Sequence, residues 1–126
     1  PHPDFGTVEF RMCDATPTVR AAVALAGLAQ TLVTWCNSRI DDGTLPVAPR
    51  EWTVRENRWL AARFGIDADL IVEHPDTGHP DRRSVRDLLT DLVDELGTTA
   101  QALGTAAQLD DLLGLLDSLT ADELPS

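Results

Sequence analysis

Glu9 and Arg11 stand two residues apart in the stretch Phe5-Gly6-Thr7-Val8-Glu9-Phe10-Arg11-Met12-Cys13-Asp14. Two residues is the side-chain repeat of a β-strand, so on an extended backbone both leave the same face, about 7 Å apart. A carboxylate offers hard oxygen to a divalent cation, and a planar guanidinium offers paired N–H donors to a phosphoryl group. On one rigid strand the pair can hold a metal and a phosphate side by side. Thr7 stands one step up the same face with a hydroxyl. The spacing equally describes an ordinary amphipathic strand whose charged face meets water.

The elements that would position this pair follow from the surrounding pattern. Val8, Phe10 and Met12 point away from Glu9 and Arg11, an apolar row suited to a core, so residues 5–14 read as one strand. Asp14-Ala15-Thr16-Pro17 is a stop and a restart, with Thr16 as N-cap and Pro17 at the first helical position. The predicted helix runs to about Ser38. Val19, Val23, Ala26, Gln30 and Val33 mark one stripe on it, and Leu25, Leu28, Leu32 and Cys36 mark a second. Two stripes predict a helix covered on more than one side, with Gly27 and the alanines at a close approach.

Residues 41–49 read as a loop, with an Asp-Gly turn and two prolines. A second helix is predicted from about Arg50 to Phe64, closed by Gly65. Trp52, Glu56, Trp59 and Arg63 share one side of it, and Val54, Arg58 and Ala61 another. On its residues alone, the tryptophans are core and the arginines pair with Glu51 and Glu56 at the surface. Residues 69–73 suit a short strand leading into a turn with hairpin character. His74, Asp76, His79 and Asp81 in that turn have metal-ligand chemistry, but two prolines and a glycine make it a loop tip rather than a metal site. Ser84 caps a helix to about Leu96, ended by Gly97, with a short helical piece over residues 98–103. A last helix starts near Ala106, carries Leu109, Leu112, Leu113, Leu115, Leu116 and Leu119, and is ended by Pro125.

Charge narrows the partners. The net charge is −11, and the excess lies in the second half: through Ile66 seven acids balance seven arginines, and beyond it fourteen acids face Arg82, Arg83 and Arg86. An acidic half lacks the basic footprint that nucleic acid or an anionic membrane needs. There is no lysine, which excludes a lysine Schiff base or a phosphate-loop lysine within these residues. Cys13 and Cys36 have no CxxC spacing, so two reduced thiols and a cytoplasmic setting are expected. Residues 21–38 lack charge, but Gln30, Thr31, Thr34 and Asn37 interrupt them, and no membrane span is expected.

Two motifs carry a family resemblance. The run His2-Pro3-Asp4-Phe5-Gly6-Thr7-Val8-Glu9-Phe10-Arg11-Met12 resembles the signature strand of the bacterial carboxylate–amine ligases, the type-2 glutamate–cysteine ligase family. The run Arg55-Glu56-Asn57-Arg58-Trp59-Leu60-Ala61-Ala62-Arg63-Phe64-Gly65-Ile66-Asp67-Ala68 resembles a helix of the same family, in the same order and at about the same spacing. The resemblance is clear over residues 1–68 and weak beyond.

The resemblance implies an α+β fold similar to the glutamine-synthetase catalytic domain. These residues would be a mostly helical C-terminal portion with one N-terminal strand and a short hairpin. It implies an ATP-dependent ligase that joins the carboxylate of glutamate to an amine, cysteine above all, through an acyl phosphate. It also implies Glu9 as a ligand of Mg²⁺, Arg11 as the residue on the transferred phosphoryl group, and Thr7, Asn57, Arg58 and Arg63 as substrate- or nucleotide-facing. The chain opens on the signature strand without an initiator Met, so the rest of the funnel-shaped sheet is expected upstream. Alone, the 126 residues are expected to be inactive and to cover an apolar face by self-association or by joining that upstream half. One departure stands out: the family carries arginine near its C-terminus, and residues 104–126 have none. That departure keeps a second class open, a non-catalytic, mostly helical interaction module.

Overall fold

The computed structural model describes residues 3–13, 15–74 and 77–118. Its elements run α1 (Val19–Asp41), α2 (Glu51–Phe64), a 3-10 turn (Gly65–Asp67), β1 (Asp69–Glu73), β2 (Pro80–Ser84), α3 (Val85–Leu103) and α4 (Ala106–Ser118). The class is α+β, mostly helical with a two-stranded antiparallel sheet, as the sequence predicts. His2, Asp14, Asp76, Leu119 and Pro125, each named above, lie outside the described residues.

The apolar core lies between α1, α3 and α4. Val93, Leu96, Ala100 and Leu109 are buried at its centre, and Leu28, Leu32 and Trp35 of α1 pack onto them. Full burial of a leucine such as Leu96 contributes about 1.5–3 kcal/mol, so this cluster sets where the three helices sit. At Gly27 α1 comes so close to α4 that an added Cβ would stand 2.5 Å from the Cβ of Gln108. Beside that crossing Thr31 and Thr105 are buried with their hydroxyls 2.7 Å apart. Thr31 donates to the carbonyl of Gly27 at 2.8 Å, so Thr105 is the donor to Thr31. At the surface Arg20 pairs with Asp111 and Arg83 with Asp91, in each case raising the arginine pKa through the hydrogen bond first and the charge second. Both arginines are exposed, and such pairs add little stability.

Helix ends differ from expectation in instructive ways. α1 starts two residues late: Thr18, not Thr16, is the N-cap, its hydroxyl accepting from the N–H of Ala21 at 3.1 Å. Both threonines have the right chemistry, and Thr18 is the one whose hydroxyl reaches a helical N–H. α1 ends at Asp41 in a paired closure, Gly43 N–H to Ile40 C=O and Thr44 N–H to Arg39 C=O. Gly43 holds φ 66°, the left-handed geometry this closure requires, so the Asp-Gly pair ends a helix rather than turning a free loop. Gly97 does not end α3, which runs on to Leu103. Leu96 and Ala100 lie one turn apart and are both fully buried, so the core outweighs the roughly 1 kcal/mol that glycine costs in a helix.

α1 is, by length and composition, apolar enough to cross a membrane, which the sequence reading discounted. Here one face of it packs on α3 and α4, while Val19 and Val23 on another remain exposed.

The hairpin is built against α2. Its register pairs Asp69 with Ser84, Ile71 with Arg82 and Glu73 with Pro80. Just outside the strands Val85 N–H bonds Ala68 C=O and His74 N–H bonds His79 C=O. Hydrogen-bonded and outward pairs alternate in such a ladder, so Ile71, Glu73 and Pro80 turn their backbone groups outward. Pro80 therefore loses no ladder bond by lacking an N–H. Ser84 ends β2 and caps α3, accepting from the N–H of Asp87 at 3.1 Å.

The strand expected over residues 5–14 is the main departure. Residues 8–13 join no ladder, and Thr7 makes only an isolated bridge. A strand is held by its neighbours, and among the described residues the sole sheet is β1–β2. Phe5, Val8, Phe10 and Met12 stay exposed, Met12 at 86%. The alternation still shows: Gly6, Val8 and Phe10 line a groove of about 340 Å³ with Ala29, Gln30, Val33 and Thr34 of α1.

Candidate functional site

The extended segment before α1 carries the pair on which the sequence reading turns. With Val8 and Phe10 toward the groove on α1, Glu9 and Arg11 belong to the opposite side and are largely open to solvent. Their charges meet: Arg11 Nη2 lies 2.9 Å from Glu9 Oε2. Glu9 Oε1 and the Thr7 hydroxyl make no hydrogen bond among the described residues, and Thr7 is exposed. This face presents one carboxylate, one guanidinium and one hydroxyl within five residues of chain.

A divalent cation fits here as far as one corner of its shell. Mg²⁺ is commonly held by one or two carboxylates, several waters and phosphate oxygens, and Glu9 supplies one such carboxylate with solvent access. The described residues do not close the shell, since no group of three or more His, Cys, Asp or Glu among them could hold a metal. His74, His79 and Asp81 make no such group either.

The candidates on α2 go elsewhere. Asn57 turns inward: its Nδ2 donates to the carbonyl of Ile71 at 2.8 Å, and its Oδ1 accepts the N–H of Ile71 at 2.7 Å. One amide thus occupies the outward peptide edge of β1 as a neighbouring strand would. This contact fixes α2 on the hairpin and gives no support to a substrate-facing Asn57. Arg58 is exposed and forms no ion pair among the described residues, while the Arg63 guanidinium stands 5.9 Å from the ring of Phe64. Among the described residues no hydrogen bond or ion pair joins Thr7, Glu9 or Arg11 to Asn57, Arg58 or Arg63. Trp52 and Trp59, expected in the core, are 42% and 57% exposed. The buried face of α2 is instead Thr53 and Leu60, with Asn57 between them.

A second constellation escaped the sequence reading. Arg50, the N-cap residue of α2, has no side-chain cap bond. Glu73, from β1, replaces it, accepting from the Arg50 N–H and the Thr53 hydroxyl while its other oxygen meets the Arg50 guanidinium at 3.5 Å. A carboxylate at a helix N-terminus also complements the helix dipole. The available signal was the spacing of Thr53, Asn57 and Leu60, which places all three on one face. Next to it, a groove of about 530 Å³ runs between residues 46–49 and β1, with Ile71, Val72, Glu73 and His74 in its wall. None of the six candidate residues lines it.

The model of the family described as glutamate-cysteine ligase family 2 matches residues 1–124. Similar chains include "Putative glutamate--cysteine ligase 2-1" of Frankia casuarinae, 47% identical over 116 residues, 92% of this chain and 29% of that one. A chain of the same description from Frankia alni is 48% identical over 118 residues, 94% of this chain and 30% of the other. "Putative glutamate--cysteine ligase 2" of Thermobifida fusca is 42% identical over 110 residues, 87% of this chain and 27% of its own. The chain therefore spans about 30% of the length of the curated relatives it matches. No solved structure matches it. The likeness extends through α3 and α4, well beyond the 68 residues on which the motifs lie, and the stretch without arginine falls mostly inside it.

Proposed function

The chain belongs to glutamate-cysteine ligase family 2, and from that premise we propose that it is part of an ATP-dependent ligase joining the side-chain carboxylate of glutamate to an amine. Cysteine is the amine we propose, giving γ-glutamylcysteine. A carboxylate is a poor electrophile. In the proposed reaction a glutamate oxygen attacks the γ-phosphorus of ATP and ADP leaves. The amine nitrogen then attacks the acyl carbon, the C–O bond to phosphate breaks, and the nitrogen gives up its proton.

Within this chain Glu9 is proposed to give one oxygen ligand to Mg²⁺, which would neutralise charge on the phosphates. Arg11 is proposed to hold the transferred phosphoryl group, Thr7 to add a hydrogen bond, and Arg58 and Arg63 to lie toward substrate. Phosphoryl transfer draws mostly on positioning and charge, which is what a carboxylate and a guanidinium on one exposed face can provide. The remaining metal ligands and the pocket that selects the amine are assigned to sequence outside these residues. The setting proposed is cytoplasmic, where Cys13 and Cys36 stay reduced; both are free thiols here.

The observation that carries this reading is the Glu9–Arg11 pair, exposed on one face of a chain that matches the family over residues 1–124. The test is ADP release by the native gene product with ATP, Mg²⁺, glutamate and a panel of amines, with hydroxylamine added to trap acyl phosphate as hydroxamate. Release that requires glutamate, with hydroxamate formed, is the expected result. No release with any acid and amine would point to the non-catalytic helical module instead.

A further inference from the structure

Side chains stop the outward edges of the hairpin at several points. Asn57 holds the Ile71 peptide through bonds of 2.8 and 2.7 Å. The Asp69 carbonyl accepts from Arg82 Nη1 at 3.2 Å, the Arg82 N–H donates to the Asp81 carboxylate at 2.8 Å, and Pro80 has no N–H to offer. Glu73 is different. Its backbone N–H and C=O face away from β2, and among the described residues neither makes a hydrogen bond. Its carboxylate is already engaged at the start of α2.

α2 and the residues leading into it lie along this edge of β1, since Asn57 reaches Ile71 and the Arg50 N–H reaches Glu73. The groove of about 530 Å³ lies there, between residues 46–49 and β1. Pro46 and Pro49 cannot donate to a strand, and no backbone hydrogen bond joins residues 46–49 to β1 among the described residues. The segment therefore runs beside β1 without closing its edge. Ile71 and Val72 stand with Glu73 in one wall, and Val47, 95% exposed, stands in the other. At the rim Arg50 packs against Gly78 and pairs with Glu73 at 3.5 Å, so the local charges offset each other.

We propose that this groove binds an extended, uncharged apolar peptide segment of a partner protein, one residue of which pairs with the Glu73 backbone. An extended peptide carries a donor and an acceptor at the spacing of a strand residue, and side chains that alternate about it. One residue opposite Glu73 exchanges two hydrogen bonds with it, as in an antiparallel ladder. Pairing stops at Ile71, where Asn57 already holds the peptide, so the apolar walls supply most of the affinity. The chain's net charge of −11 repels an acidic segment, and a rim that is already neutralised gives a basic one no free counter-charge. None of Thr7, Glu9, Arg11, Asn57, Arg58 or Arg63 lines the groove, so the inference stands apart from the ligase reading.

The experiment is fluorescence polarisation with the native gene product and a fluorescein-labelled peptide amide, Ser-Val-Thr-Val-Ile-Val-Ser. Saturable binding is expected. Ala48→Trp fills the groove from the side of residues 46–49 and should weaken binding about tenfold with circular dichroism unchanged, since it takes the apolar walls from the peptide. Two analogues N-methylated at alternate residues, one in each register, separate the backbone contact from the apolar one; one of them should bind about fivefold weaker. In the unmodified protein the Glu73 amide should exchange about fivefold more slowly with the peptide bound, a readout that needs no variant. No saturable binding, or equal binding to a folded Ala48→Trp, overturns the groove as the site. Equal binding of both N-methylated analogues, or unchanged exchange at Glu73, overturns the pairing. Probe binding that fades as the protein is concentrated assigns the groove to a second copy and overturns the partner segment.

Discussion

Gly27 gives the sharpest prediction about the scaffold beneath the site. Replacing it with alanine would ordinarily stabilise a helix interior by about 0.8–1 kcal/mol. Here the new Cβ would stand 2.5 Å from Gln108 Cβ and 2.9 Å from its Cγ. Carbon atoms in contact prefer about 3.5–4.0 Å, so the helices must separate by roughly 1 Å or distort. Overpacking of that kind costs about 1–3 kcal/mol, which turns the expected gain into a net loss of about 1 kcal/mol. Gly97 is the control. It sits inside α3, and a Cβ there would meet nothing within 4 Å. Gly97→Ala is therefore expected to stabilise by nearly 1 kcal/mol, leaving the two variants about 2 kcal/mol apart for the same chemical change. Urea unfolding at equal slope measures the difference directly. If Gly27→Ala stabilises as much as Gly97→Ala, α1 does not approach α4 closely at this crossing.

Three further outcomes follow from the same packing. Asn57→Ala removes both bonds to the Ile71 peptide and should cost about 2 kcal/mol, with faster amide exchange at Ile71; unchanged exchange would refute the clamp. Thr31→Val leaves Thr105 only a long 3.4 Å contact with Ala100 C=O, whereas Thr105→Val leaves Thr31 its bond to Gly27; thermal melts should show the first costing more, and the reverse order would refute the donor assignment. Gln108 Oε1 is buried without a partner among the described residues, so Gln108→Met should raise stability by about 1 kcal/mol, and a drop in the denaturation midpoint would show that oxygen to be satisfied.

What was legible in the sequence was local. Gly65 after α2 and Ser84 before α3 each declare a helix end by chemistry that needs no distant partner, and both are where the sequence put them. Gly97 misled because its signal is also local, while the force that carries α3 past it is burial of Leu96 and Ala100 against other helices. The alternation survives only as Val8 and Phe10 on the groove opposite Glu9 and Arg11, with Met12 exposed, because a ladder needs neighbouring strands that the described residues do not supply. The site was legible in the same uneven way. Glu9 and Arg11 do share one open face. Asn57 carried the right residue type for a ligand contact, yet an amide satisfies a peptide edge just as well, and the peptide of Ile71 lies fourteen positions away in sequence. Glu73 capping α2 from β1 was invisible for the same reason. Contacts set by tertiary geometry leave little trace in spacing.

The most direct measurement compares glutamate-dependent ADP release by the native gene product with and without Glu9→Ala, at saturating ATP and Mg²⁺ and with the fold checked by circular dichroism. A carboxylate that holds a catalytic metal should be worth about a hundredfold or more in turnover, the scale seen when a preorganised charge contact is removed. Loss of that size, with α1, α3 and α4 still folded, is the expected result. Turnover within a fewfold of the unmodified protein would contradict the metal role, and Glu9 and Arg11 would then be only a surface ion pair.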